Sequence, residues 1–161
     1  MKNKGFTLIE LLLVITVILI ISTSSYVGFQ QFSKNQALGI AADTLHNGLN
    51  EARSYAVSQV ITQCHPTQTL AGYQVSFYRP ASPALDYYSL DEVCRDSAGV
   101  LQPGIEIKRQ TLPTSVRFAA NYSPILFLIL TGGVNGGAET IRIKSGSQFK
   151  DTTVTAVGVI Q

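Results

Sequence analysis

Apolar residues crowd the front of the chain. From residue 6 to residue 21 nearly every position is hydrophobic, and Glu10 is the one acid inside the run. Uninterrupted apolar character over that length predicts a helix that is hydrophobic on all sides, rising about 24 Å. Further on the pattern thins to a stripe. Leu38, Ala42, Leu45, Leu49, Ala52, Ala56 and Val60 recur at spacings of three and four, while Asp43, His46, Asn47, Asn50, Glu51 and Arg53 mostly avoid them. That is the mark of an amphipathic helix with one buried face. The two patterns join into one helix over residues 6–58, on the order of 80 Å long.

From Gly72 the period changes to two. Tyr73, Val75 and Phe77 alternate with Gln74, Ser76 and Tyr78, as in a half-buried strand. Pro80, Ser82 and Pro83 then break the chain, and residues 84–104 read as irregular. Residues 105–109, 115–118, 125–130, 139–144 and 154–160 are further strand candidates. The TGGVNGG segment at 131–137 is a turn signal that predicts a hairpin. One long helix followed only by strands predicts an α+β fold, with one antiparallel β-sheet against the helix stripe.

The 161 residues suit one modest domain with an appendage. Net charge is +2, but Lys2 and Lys4 precede the apolar run, and without residues 1–5 ten basic side chains face ten acidic ones. No global charge therefore points to nucleic acid. Cys64 and Cys94 form no CxxC pair, and with only His65 nearby they lack metal-ligand spacing. If this part of the chain lies outside the cytoplasm, a Cys64–Cys94 disulfide is the natural reading, contributing roughly 3–4 kcal/mol in the chain-entropy model. Two unpaired thiols are the alternative.

Basic residues come first, the apolar run second, and no A-x-A-like cleavage site follows; Ser22, Thr23, Ser24 and Ser25 come next. That order is not that of an ordinary secretory leader. The run is slightly short for a bilayer core of about 30 Å, and extension through residues 22–28 closes the gap. Lys2 and Lys4 would stay on the cytoplasmic side and the remainder would be exported.

The segment KGFTLIE at residues 4–10, followed by the apolar helix, resembles the class III signal of type IV prepilins and type II secretion pseudopilins. The resemblance implies cleavage by a prepilin peptidase between Gly5 and Phe6, N-methylation of Phe6, and retention of the apolar helix. Gly5 offers the protease an unobstructed backbone. It implies for Glu10 an ionic contact with the amino terminus of a neighbouring subunit, which sets axial register. An unpaired carboxylate at bilayer depth costs several kcal/mol, and an ammonium partner offsets much of that. The implied fold is the pilin fold, divided into a leader (1–5), a transmembrane and filament-core helix (6–29), an amphipathic half (30–60) and a β-rich domain (61–161). Many pilins carry a proline some turns into the helix; here the first proline is Pro66.

NEARSYAVSQ at 50–59, then ITQC, GYQVSFY, IEIKRQTLPTSVRF, ILFLIL and the Gly-rich turn follow a layout similar to the GspH/FimT-type minor pseudopilin or minor pilin. The implied function is a structural subunit of a type IV pilus or a type II secretion pseudopilus. Its implied partners are other pilin subunits, the prepilin peptidase, an inner-membrane assembly platform and membrane lipid. A major pilin, or a DNA-binding minor pilin, are the alternatives.

No enzyme or cofactor signature survives inspection. Asp43, His46 and Ser54 on one straight helix lack the strained nucleophile and oxyanion donors of a hydrolase. TGGVNGG has no Lys after it and is not a phosphate loop. For nucleic acid the candidates are Arg142, Lys144 and Lys150. Arg142 and Lys144 fall on one strand face, able to reach phosphates, but the neutral charge balance and the expectation of no interleaving aromatic argue against it.

Overall fold

A computed structural model describes residues 7–60 and 63–161, with the side chains of 23–27 outside the description. The helix α1 spans Leu8–Ser58. Hydroxyls inside the apolar run bond back to their own helix: Thr16 Oγ1 donates to the Leu13 carbonyl (2.8 Å) and Ser22 Oγ to that of Ile18 (2.7 Å). Polar side chains are thereby satisfied without water. The helix closes on Gln59, which takes a left-handed conformation (φ 51°), and the Val60 N–H donates to the Tyr55 carbonyl (3.4 Å). This is the six-to-one bond of a Schellman-type C-cap.

Two units make up the chain, Met1–Gln36 and Ala37–Gln161, and α1 runs through both. In the first, the side chains at 8–21 are exposed all round the helix, the large ones between 46 and 82 %. In the second, the expected stripe is buried at Leu38, Ala42, Leu45, Leu49, Ala52 and Ala56, joined by Ala41. Val60 lies beyond the helix end and is exposed.

Eight strands follow: β1 Thr69–Tyr78, β2 Tyr87–Arg95, β3 Ile105–Thr111, β4 Arg117–Phe118, β5 Ile125–Leu128, β6 Val134–Asn135, β7 Glu139–Ser145 and β8 Gln148–Val154. They build two antiparallel sheets, ordered β3-β2-β1-β5-β6 and β4-β7-β8, rather than the one expected. Tyr73, Val75, Leu90, Ile125 and Phe127 of the first sheet and Phe118, Ile141, Ile143 and Val154 of the second share one core with the helix stripe. The architecture is α+β, a long N-terminal helix packed on antiparallel sheet.

Three further sequence expectations change. Residues 84–104 contain β2, a central strand paired with β1 and β3. Its polar residues hid it: Ser89, Asp91 and Glu92 are all buried, so no apolar alternation appears. Residues 154–160 are not a strand; β8 ends at Val154, and beyond it only an isolated Val154–Ile160 bridge remains. The TGGVNGG turn does not join β5 to β7. It folds back within itself, β5 pairing with β6, and β7 leaves for the other sheet.

Two buried carboxylates organise the body. Asp86 receives the Arg117 guanidinium on Oδ1 (2.9 Å) and the Phe118 N–H on Oδ2 (2.8 Å), tying the segment before β2 to β4 of the other sheet. Glu92 accepts the N–H groups of Gln63 and Cys64 on Oε1 (both 3.1 Å). Cys64 and Cys94 are joined by a disulfide with Cα atoms 5.8 Å apart, so the chain leaving the helix is fastened to β2 twice.

Candidate functional site at the head of the helix

The first turn of α1 carries a reciprocal pair. The Thr7 N–H and the Thr7 hydroxyl both donate to Glu10 Oε2 (3.0 and 2.9 Å), and the Glu10 N–H donates to Thr7 Oγ1 (3.3 Å). This is a capping box, in which residues three apart satisfy each other's orphan donors. Its signal, T-x-x-E in TLIE, stands in the sequence at 7–10, beside the more conspicuous apolar run. Glu10 therefore has a partner in its own chain. Only Oε2 is engaged; among the described residues Oε1 accepts nothing. The carboxylate is aimed by Thr7 and keeps one oxygen open on an exposed helix head.

Beyond this turn the helix presents apolar side chains in every direction. Among the described residues no helix is long and apolar enough to cross a membrane. The apolar stretch with described side chains, 8–22, rises about 22 Å. The expected cleavage point, Gly5 and Phe6, lies outside the described residues.

The three basic candidates do not come together. Strand register places Arg142 opposite Asp151 and Lys144 opposite Phe149, on the face away from Ile141 and Ile143. Lys150 pairs with Ile143 and so points to the other face, its Nζ 3.9 Å from where a Cβ on Gly39 of the helix would stand. Arg142 is engaged bidentately by Asp151 (2.7 and 2.8 Å) and lies 4.6 Å over the ring of Phe149. Hydrogen bonding from Arg142 holds the Asp151 carboxyl below the ordinary carboxylate range, and Asp151 in turn raises Arg142. An aromatic does interleave Arg142 and Lys144, contrary to the sequence expectation, because Phe149 comes from the neighbouring strand.

Asp43, His46 and Ser54 form no hydrogen bond with one another among the described residues. The His65 Nδ1 meets the Thr67 hydroxyl (2.9 Å), a local turn contact. The Cys64, Glu92 and Cys94 side chains lie close together, and the two sulfurs are bonded to each other.

Residues 1–26 match the family model described as the prokaryotic N-terminal methylation motif. No curated protein and no solved structure matches the chain. The motif is of the type IV prepilin kind; it suggests a pilin- or pseudopilin-like subunit and implies other such subunits and a prepilin peptidase as partners.

Proposed function

We propose that the chain is a minor pilin or pseudopilin of the GspH/FimT type. It is cut between Gly5 and Phe6, N-methylated on Phe6, held as a single-pass anchor with its head on the cytoplasmic side, and polymerised through its apolar helix. An inner-membrane assembly platform carries it from lipid into the filament. One observation carries the reading: a carboxylate is oriented by Thr7, with one oxygen open, at the head of a helix whose surface is apolar all round. Such a surface calls for lipid or other helices around it. Cleavage after Gly5 leaves the Thr7 N–H an ordinary amide, so the capping box survives processing. The new amine of a neighbouring Phe6 then meets Glu10 Oε1.

The test is co-expression with a prepilin peptidase and a host filament system, followed by mass analysis of sheared filaments. A methylated Phe6 terminus in the filament fraction is expected. Recovery of the chain in filaments with Met1 still attached overturns the proposal.

DNA binding is a second reading, favoured by the exposed Phe149 between Arg142 and Lys144. The Asp151 carboxylate on Arg142 opposes it, since that guanidinium is already neutralised. Salt-dependent binding of single-stranded DNA, lost on Phe149→Ala and Lys144→Ala together, is what this reading requires.

A further inference from the structure

Near the C-terminal end of α1 the exposed face opens into a groove of about 380 Å³ lined by Asn50, Arg53, Ser54, Val57 and Ser58. Arg53 is the unusual member. Its Nε is buried and has no hydrogen-bond partner. Among the described residues Arg53 forms no ion pair, whereas Arg109, Arg117 and Arg142 each hold a carboxylate.

Two glycines hold its side chain in place. A Cβ on Gly132 would stand 3.1 Å from Arg53 Cγ and 3.2 Å from Nε; one on Gly158 would stand 3.4 Å from Nε and collide with the Gly132 carbonyl. Both take positive φ (62° and 77°), so the two loops close on each other and on the guanidinium stem. The Leu130 N–H donates to the Ala56 carbonyl (3.3 Å), which fixes the first loop to the helix.

These loops also display apolar side chains outward. Leu130 is 67 % exposed and stands at φ 67°, a conformation glycine adopts freely and a branched side chain does not. Val157 and Val57 are exposed beside the two glycines. A strained, exposed, bulky residue two positions before a glycine that packs on an unpaired guanidinium stem is an arrangement that folding alone does not reward.

We propose that this groove binds a carboxylate flanked by an apolar side chain, presented by a segment of another protein chain. The guanidinium offers a planar fork to the carboxylate. Asn50, Ser54 and Ser58 supply further polar contacts, and Leu130 with Val57 covers the apolar neighbour. Charge complementarity selects the occupant: the groove carries a cation and no acid. The site is independent of how the head of the helix assembles.

The test uses the full chain in detergent micelles, with the Arg53 Nε–H followed by NMR. The probe is N-acetyl-leucyl-aspartyl amide. A saturable shift in the millimolar range is expected, weakened about tenfold for the leucyl-asparaginyl amide. Leu130→Ser, and Arg53→Lys followed through the Val57 backbone amide, should each weaken binding at least about threefold while the backbone spectrum stays dispersed. Equal binding of the asparaginyl probe overturns the proposal, because charge is then not read. Inorganic phosphate binding as tightly as the peptide also overturns it, as does the lack of any saturable shift.

Discussion

Under the proposed function Glu10 has two roles, which no substitution of Glu10 itself can separate. As half of a capping box it stabilises the helix start; as an open carboxylate it can meet a neighbour's amine. Thr7→Ala removes the first and leaves the second. We expect Thr7→Ala to cost about 0.5–2 kcal/mol at the helix head yet still to enter filaments, whereas Glu10→Leu inserts in membrane and fails to assemble. Equal filament recovery for both variants, measured on sheared material, contradicts the register role. Asp86 offers a residue-scale test in the body. Asp86→Ala removes the carboxylate from Arg117, leaving it only the Pro80 carbonyl (3.3 Å), and strands the buried Phe118 N–H. A loss of about 3 kcal/mol is expected, read as a lower urea midpoint at unchanged slope. The sequence concealed Asp86 because ionic partners distant in the chain leave no local pattern; the T-x-x-E signal, by contrast, was in plain view.

At the scale of elements, legibility followed periodicity. The helix stripe was readable because its apolar residues repeat every three or four positions, and β1 because its residues alternate. β2 was not, since Ser89, Asp91 and Glu92 are buried through hydrogen bonds instead of apolar character: Ser76 and Ser89 both donate to Asp91 Oδ2 (2.8 and 3.1 Å), and Glu92 accepts from Gln63 and Cys64. β8 escaped because QFKDTTV keeps only Thr152 and Val154 in the core. Gly48 is likewise an element-scale feature. A Cβ there would stand 2.6 Å from the Tyr88 hydroxyl and 2.7 Å from its Cε2, and Tyr88 cannot swing aside because its hydroxyl donates to the Thr44 carbonyl (2.9 Å). Gly48→Ala should raise helix propensity by about 1 kcal/mol yet destabilise the protein by about 1–3 kcal/mol net. Adding Tyr88→Leu should recover most of the loss; thermal unfolding of the single and double variants decides it.

For the whole molecule, the polar contacts that fasten the helix to the strands also set a limit in alkali. The Tyr73 hydroxyl donates to the Val60 carbonyl just past the helix, and Tyr88 donates to Thr44 within it. Burial, then the Glu92 carboxylate, pushes Tyr73 up to about 12 from an ordinary 10.0. Burial, then Glu51, does the same for Tyr88, also to about 12. A phenol whose folded pKa is raised stabilises the fold fully below the unfolded value. Between pH 10 and 12 the unfolded chain has released these protons and the folded chain has not, so stability falls as pH rises through that window. Urea midpoints should therefore hold steady below pH 10 and drop progressively above it. Tyr88→Phe removes one of the two titrating groups, and its midpoint should fall less steeply across the same range. If the variant and the parent decline in parallel, Tyr88 ionises as freely in the folded protein as in the unfolded chain, and its contact with Thr44 is not the restraint assigned to it.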